Sequence, residues 1–145
     1  MLYFDTSFLV PLIVREALSN EVDRFVRSVP AEAITVSQWT CVEFSSLLAR
    51  DVRMRVLSGA EAVEAEAQFD ALIRRSFAVV VPVADDFERS RQYLQRYETG
   101  LRAGDALHLA IARNHDAKQI YTLDKGLLKA GRMLGLPVSS DIGLK

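Results

Sequence analysis

Four short apolar runs recur along this chain, and a longer stretch with helical periodicity follows each of them. The runs are LYF (2–4), AITVS (33–37), AVVVPV (78–83) and QIYTL (119–123), and a short PVSS (137–140) follows the last helical stretch. Strands that alternate with helices form a parallel sheet, because each connection must cross back over the sheet. The order therefore predicts a three-layer α/β/α fold with a central, mostly parallel sheet.

Two of these segments carry a further expectation about burial. The β-branched run AVVVPV is typical of a strand that is covered on both faces. The stretch QWTCVEFSSLLARDV (38–52) has apolar residues almost all round its helical wheel. This pattern predicts a buried helix directly after the second strand.

Composition limits the class of protein. The chain has 145 residues, of which 50% are hydrophobic and 26% charged, and it has no linker-like or repetitive segment. These values predict one globular domain over residues 1–145. The net charge of −1 argues against a uniformly basic surface for nucleic acid. The single cysteine, Cys41, excludes an internal disulfide and a thiolate zinc site. The absence of a signal-like segment or a long apolar run predicts a cytoplasmic protein that does not enter a membrane.

Acidic side chains follow the predicted strands. Asp5 and Asp124 come directly after the first and fourth runs, Glu43 lies in the helix after the second, and Asp105 opens the helical stretch 104–115. Ligands of parallel α/β sheets bind beyond the carboxyl ends of the strands, so these acids could meet in one crevice. Each Asp could instead be a helix N-cap. Glu43 could instead form a buried ion pair with Arg50.

Several carboxylates in one crevice repel one another unless they share protons or bind cations. Ligand sets made only of oxygen favour hard cations such as Mg²⁺ or Mn²⁺. A divalent cation in an acidic pocket is the usual equipment for the attack of water on a phosphodiester. The chain offers no convincing Ser, Cys or His nucleophile for a covalent route.

The acids and their neighbours resemble the PIN-domain nucleases, and specifically the VapC-type toxins of prokaryotic toxin–antitoxin pairs. The resemblance lies in FDTS (4–7), VEF (42–44), AGDALHLAIA (103–112) and YTLDKGL (121–127), which occur in the family's order and spacing. It implies a PIN-like fold, a Mg²⁺ or Mn²⁺ site and endoribonuclease activity. It also implies a homodimer or an antitoxin-bound hetero-oligomer, with a small antitoxin that inserts a segment across the active-site groove.

The resemblance also implies roles for single residues. Asp5 and Asp105 match the direct metal ligands of the family. Glu43 and Asp124 complete the acidic pocket, binding the metal directly or through its water. Of these two, Asp124 is expected to be a metal ligand together with Asp5 and Asp105. Thr6 and Thr122 match hydroxyl positions that could orient acids or waters, although strand-end capping is an equal alternative.

Two other classes of protein fit part of the pattern. A phosphotransfer or phosphatase domain of the receiver or haloacid-dehalogenase type also has Asp after its first strand. The haloacid-dehalogenase pattern needs a second acid two residues later, where this chain has Ser7. A catalytically silent PIN-like binding module normally lacks one or more of the acids. The sequence therefore favours a metal-dependent endoribonuclease that cuts a structured RNA, such as a tRNA or an rRNA.

The remaining polar residues allow two interpretations each. His108, one turn after Asp105, is either a metal ligand or a packed, hydrogen-bonded histidine, and its apolar neighbours favour the second. The basic residues form either a solvated face or a rim that holds phosphates around the acids. They are Arg50, Arg53, Arg55, Arg74, Arg75, Lys125 and Lys129.

Overall fold

A computed structural model describes residues 1–142, and the last three residues of the predicted domain lie outside that range. The described residues form five strands and seven α-helices. The strands are β1 (Leu2–Phe4), β2 (Ile34–Ser37), β3 (Ala78–Val80), β4 (Gln119–Tyr121) and β5 (Val138–Ser139). The helices are α1 (Thr6–Ile13), α2 (Ser19–Ser28), α3 (Gln38–Arg53), α4 (Gly59–Ser76), α5 (Ala84–Leu94), α6 (Ala103–Asn114) and α7 (Lys125–Met133).

The five strands make one fully parallel sheet in the order β3-β2-β1-β4-β5. Leu2 of β1 pairs with Ile34 of β2 on one side and with Gln119 of β4 on the other. The pairing continues past β1, because the amide of Asp5 donates to the carbonyl of Tyr121 at 3.1 Å. The predicted α/β/α fold with a parallel sheet is confirmed, and the first strand lies at its centre.

Each face of the sheet is covered by its own apolar core. Successive residues of β1 point to opposite faces, so Phe4 enters one core and Tyr3 the other. The Phe4 core includes Phe8 of α1 and a stacked pair formed by Phe44 of α3 and Phe69 of α4. The Tyr3 core consists mainly of buried residues of α6, β4 and α7. Both cores hold β1 in place and so fix the position of the residue that follows it.

Three of the helices that begin within four residues of the end of a strand are capped by a side chain. Asp5 accepts a hydrogen bond from the amide of Phe8, Ser37 caps α3, and Asp124 accepts one from the amide of Leu127. Because the strands are parallel, these helix N-termini lie along the same edge of the sheet. Their partial positive charge favours acidic groups there.

Two burial expectations are wrong. The strand β3 covers only Ala78–Val80 and lies at the sheet edge, and Val79 and Val81 are 38% and 59% exposed. Pro82 has no amide hydrogen to continue the ladder, and a β-branched run favours a strand without specifying its neighbours. The helix α3 buries only one face, and Val42 is 56% exposed.

Within residues 1–142, we find no helix with the length and apolar character that crossing a bilayer requires.

Candidate functional site

The four predicted acids line a single cavity of about 740 Å³ at the carboxyl edge of the sheet. Each acid comes from a different part of the fold: the end of β1, the middle of α3, the first turn of α6 and the start of α7. The structure therefore brings together Asp5, Glu43, Asp105 and Asp124, which lie up to 119 positions apart in a chain of 145 residues. Thr6 and Ser7 also line this cavity.

Asp5 is the most buried of the four, with 3% of its surface exposed. Its Oδ1 accepts hydrogen bonds from the Ser7 hydroxyl at 2.8 Å and from the Phe8 amide at 3.2 Å, and its Oδ2 accepts one from Thr122 at 3.0 Å. Burial raises the pKa of Asp5 to about 6, although the charge of His108 and these hydrogen bonds oppose the rise. The hydrogen bonds fix the orientation of the Asp5 side chain, while burial makes its charged form less stable than it would be in water.

Ser7 and Thr122 join the ends of the two central strands. The Ser7 Oγ accepts a hydrogen bond from the Leu123 amide at 2.9 Å and lies 3.2 Å from the Thr122 Oγ1. The Thr122 Oγ1 also accepts one from the Asp124 amide at 3.0 Å. Thr122 therefore donates a hydrogen bond to one acid and accepts one from the amide of another. Ser7 was not predicted as a supporting residue, and its only signal was its place two residues after the cap at Asp5.

Glu43 has a different partner from the one that its spacing suggested. Its Oε1 accepts a hydrogen bond from the Thr6 hydroxyl at 2.6 Å and contacts His108 Nε2. Burial alone would raise the pKa of Glu43, but the hydrogen bond and charge of His108 outweigh it, and the pKa lies below its usual value. The suggested ion pair with Arg50 is wrong, since that guanidinium is exposed and lies 3.3 Å from Asp51. His108 is 1% exposed and hydrogen-bonded, as favoured from its apolar neighbours.

Asp105 faces the other carboxylates across the cavity. Burial raises its pKa, and the negative charges of Asp124 and Glu43 add to the rise, while His108 and Arg102 oppose it. The mutual repulsion shows that the acids are close enough to influence one another. A cation between them would relieve it.

Gly104 allows α6 to approach Glu43 closely. A Cβ atom at this position would lie 2.9 Å from Glu43 Oε2 and 3.3 Å from the ring of Trp39. Any side chain here would have to displace the carboxylate. The glycine therefore sets the width of the site between α3 and α6.

Three basic side chains line the same cavity as the acids. Arg50 and Lys129 are among the basic residues that were predicted to form a solvated face or a phosphate-holding rim. Arg102, which precedes α6, was not predicted. Arg75 and Lys125 line other cavities instead. Only part of the predicted basic set is therefore placed to meet a ligand at the acids.

The donor set fits a hard divalent cation. The groups that face the cavity are carboxylate and hydroxyl oxygens, which Mg²⁺ and Mn²⁺ prefer. In the described part of the chain, no three His, Cys, Asp or Glu side chains stand close enough together to enclose an ion by themselves. This spacing suits an ion that keeps several waters and uses few direct protein ligands, as Mg²⁺ usually does.

Comparison with known families identifies the class of protein that this fold and acid cluster define. The PIN domain family matches residues 2–133, which is most of the chain. The chain belongs to the PIN domain family, as its four motifs predicted. This membership replaces the receiver and haloacid-dehalogenase alternatives.

Individual relatives extend the comparison. The ribonuclease VapC13 of Mycobacterium tuberculosis is 40% identical over 58 residues, which are 40% of this chain and 44% of VapC13. The match thus spans less than half the length of that curated relative. The structure of M. tuberculosis VapC20, a toxin that cleaves the sarcin–ricin loop, has a TM-score of 0.71 and 26% identity, covering 90% of this chain and 95% of that one. A toxin–antitoxin complex from Klebsiella pneumoniae shares the fold, with a TM-score of 0.58, 21% identity and coverage of 86% and 87%.

Proposed function

We propose that the protein is a metal-dependent endoribonuclease and the toxin of a type II, VapBC-like toxin–antitoxin pair. The observation that carries the proposal is the meeting of Asp5, Glu43, Asp105 and Asp124 in one cavity at the carboxyl edge of the sheet. A structural role does not account for this arrangement, because carboxylates gathered in one partly buried place destabilise the fold unless a cation or shared protons neutralise them.

Asp5, Asp105 and Asp124 would hold Mg²⁺ or Mn²⁺ with the help of bound waters that bridge the gaps between them, and Glu43 would bind the ion directly or through its water. When bound, the metal supplies a water of lowered pKa and neutralises charge that builds on the phosphate. The hydroxyl of Thr122 holds Asp5 in orientation, and that of Thr6 holds Glu43.

Glu43 and the basic side chains have separate tasks in this mechanism. The hydrogen bonds from Thr6 and His108 end on Oε1, which leaves Oε2 to accept a proton from the attacking water. Arg50, Arg102 and Lys129 line the cavity and would hold the phosphates on either side of the cleaved bond. The chain itself thus supplies orientation and a proton acceptor.

The substrate and partners follow from the relatives. The VapC20 structure is that of a toxin that cleaves the sarcin–ricin loop, and it supports a structured RNA, such as a tRNA or an rRNA, as the substrate here. The Klebsiella toxin–antitoxin complex supports a small antitoxin as the partner, in an antitoxin-bound hetero-oligomer. The free protein would be a homodimer. An enzyme with such a substrate works in the cytoplasm.

RNA cleavage by the purified protein tests the proposal. We expect cleavage of total tRNA or rRNA with Mg²⁺ or Mn²⁺, and none with EDTA or in Asp5→Asn. Asp23→Asn is a matched control, because this exposed acid on α2 pairs only with a surface arginine. Cleavage that persists in EDTA or in Asp5→Asn would overturn the metal mechanism. Binding of RNA without cleavage under every metal condition would favour the silent binding module.

A further inference from the structure

We propose that His108 is a positioning residue that fixes the orientation of Glu43 through a buried hydrogen-bond chain running from Ser37 across Tyr3. The proposal rests on the proposed nuclease function and adds a residue that acts through another, without touching substrate. His108 is the one polar side chain among the buried residues of α6, whose other buried members are Ala106, Leu107, Leu109, Ala110, Ile111 and Ala112.

The chain of hydrogen bonds crosses the interior of the molecule. The Tyr3 hydroxyl is hydrogen-bonded to Ser37 Oγ at 3.1 Å, and His108 Nδ1 lies 2.8 Å from the same phenol oxygen. At the opposite side of the ring, Nε2 contacts Glu43 Oε1 and lies 3.3 Å from Thr6 Oγ1. Tyr3, Ser37 and His108 are each at most 1% exposed, so water does not compete for these bonds.

Counting donors shows where this chain needs hydrogens. One hydrogen lies between the Tyr3 phenol oxygen and His108 Nδ1, and either atom can donate it, because the Ser37 hydroxyl can accept from the phenol or donate to it. Another hydrogen lies between Nε2 and Glu43 Oε1, because two bare lone pairs in contact would repel. Each ring nitrogen is thus fixed by a partner, and the ring cannot turn without breaking both contacts.

The contact with His108 restricts the orientation of Glu43. Because His108 and Thr6 both bind Oε1, the carboxylate is held in one rotamer, with Oε2 turned toward Gly104. An apolar residue at position 108 would leave Oε1 with the Thr6 hydroxyl alone. Outer partners of this kind typically contribute 10- to 100-fold in metal affinity or activity. We therefore expect His108→Leu to lower kcat for RNA cleavage by roughly that factor, with KM for RNA little changed.

Two substitutions separate positioning from packing. His108→Gln keeps an N–H that can reach Glu43, and it should recover most of the activity that His108→Leu loses. Tyr3→Phe removes the phenol oxygen that pairs with Nδ1 and with Ser37, and it should lower kcat by a few-fold. Leu109→Ala, the next residue of α6, is the destabilised control, because it opens the same core without touching the chain. His115→Gln repeats the Gln substitution at the exposed second histidine.

The experiment measures four quantities for each variant: the unfolding midpoint, kcat, KM for RNA, and the Kd for Mn²⁺ by calorimetry. Leu109→Ala should lose stability but keep the kcat and Mn²⁺ affinity of the folded protein. His108→Leu should have a lower kcat and a weaker affinity for Mn²⁺ even at temperatures where it is fully folded. ¹⁵N NMR of the ring, assigned with His115→Gln, should show a hydrogen on Nε2 of His108, the nitrogen that contacts Glu43.

Each outcome decides a separate question. Wild-type protein that neither cleaves RNA nor binds Mn²⁺ would overturn the proposed function and the role of His108 with it. Cleavage by wild type together with unchanged kcat and Mn²⁺ affinity in His108→Leu would overturn only the positioning role. An equal loss in His108→Leu and Leu109→Ala would do the same, since it would reflect packing. A His108 ring with no hydrogen on Nε2 would overturn its hydrogen bond to Glu43 whatever the activity.

Discussion

Replacing Asp5 with Asn should make the protein more stable while it abolishes activity. The carboxylate is 3% exposed, and burial raises its pKa from an ordinary 3.8 to about 6. That difference of about 2 pKa units corresponds to about 3 kcal/mol of unfolding free energy that the fold gives up at neutral pH to keep Asp5 charged. The Asn side chain has nearly the shape of the neutral acid and is as good an N-cap, so it should recover about 2 to 3 kcal/mol.

The sign of the pH dependence follows from proton binding. Because the pKa of Asp5 is higher in the folded state, the folded protein binds more protons than the unfolded chain between about pH 4 and pH 6. The contribution of Asp5 to stability therefore improves as the pH falls through 6, and it is complete below about 4. The stability advantage of Asp5→Asn over wild type should be largest at pH 7 and vanish near pH 4.

Urea denaturation of both proteins in EDTA, at several pH values from 4 to 8, measures this difference directly. Taking the difference between the two proteins cancels the contributions of the groups that do not interact with Asp5. The control is Asp23→Asn, which removes a surface ion pair with side chains 50% and 78% exposed and should change stability by less than about 1 kcal/mol. Equal stability of wild type and Asp5→Asn at pH 7, or an advantage that grows as the pH falls, would refute the reasoning.

Three further predictions follow from the geometry. Gly104→Ala should lower kcat for RNA cleavage by about 100-fold, because the added Cβ would lie 2.9 Å from Glu43 Oε2 and push the carboxylate out of position. Gly59→Ala is the control and should leave kcat unchanged, because no atom lies within 4 Å of its Cβ. Mg²⁺ should raise the unfolding midpoint of wild type but not of the Asn variant at position 5; an equal rise in both would argue against that ligand. Phe69→Ala should cost about 3 to 5 kcal/mol in urea denaturation, because it removes the ring stacked on Phe44 at 4.1 Å; a loss below 1 kcal/mol would contradict the described packing.

The sequence predicted the sheet because its signal is local. Short apolar runs between helical stretches indicate parallel strands wherever they occur, and four of the five strands fall within such runs. The order of the strands is not local information. The run AVVVPV is strand-like whether its strand is central or at an edge, so the exposure of Val79 and Val81 depends on a neighbour that the run itself does not specify.

The acids were predictable for a related reason, and their partners were not. All parallel strands end at one edge, so the position of Asp5 and Asp124 directly after strands was sufficient to place them together. The partner of Glu43 depends on side-chain directions in two helices. A spacing of two turns made Arg50 plausible, but that side chain turns to solvent, and His108, 65 positions away, fills the buried side. Sequence spacing carries no information about such a contact.

The two interpretations of Asp5, helix cap and site acid, describe one arrangement. Its Oδ1 caps α1 through the Phe8 amide, and the same carboxylate lines the acidic cavity. Asp124 does likewise for α7, and Asp105 lies in the first turn of α6. A helix N-terminus favours a nearby negative charge by about 0.3 to 1 kcal/mol, and by up to about 2 kcal/mol in partly buried geometries. Three such helix ends at one edge of the sheet offset part of the cost of gathering the acids, and the remaining charge is what a divalent cation would neutralise.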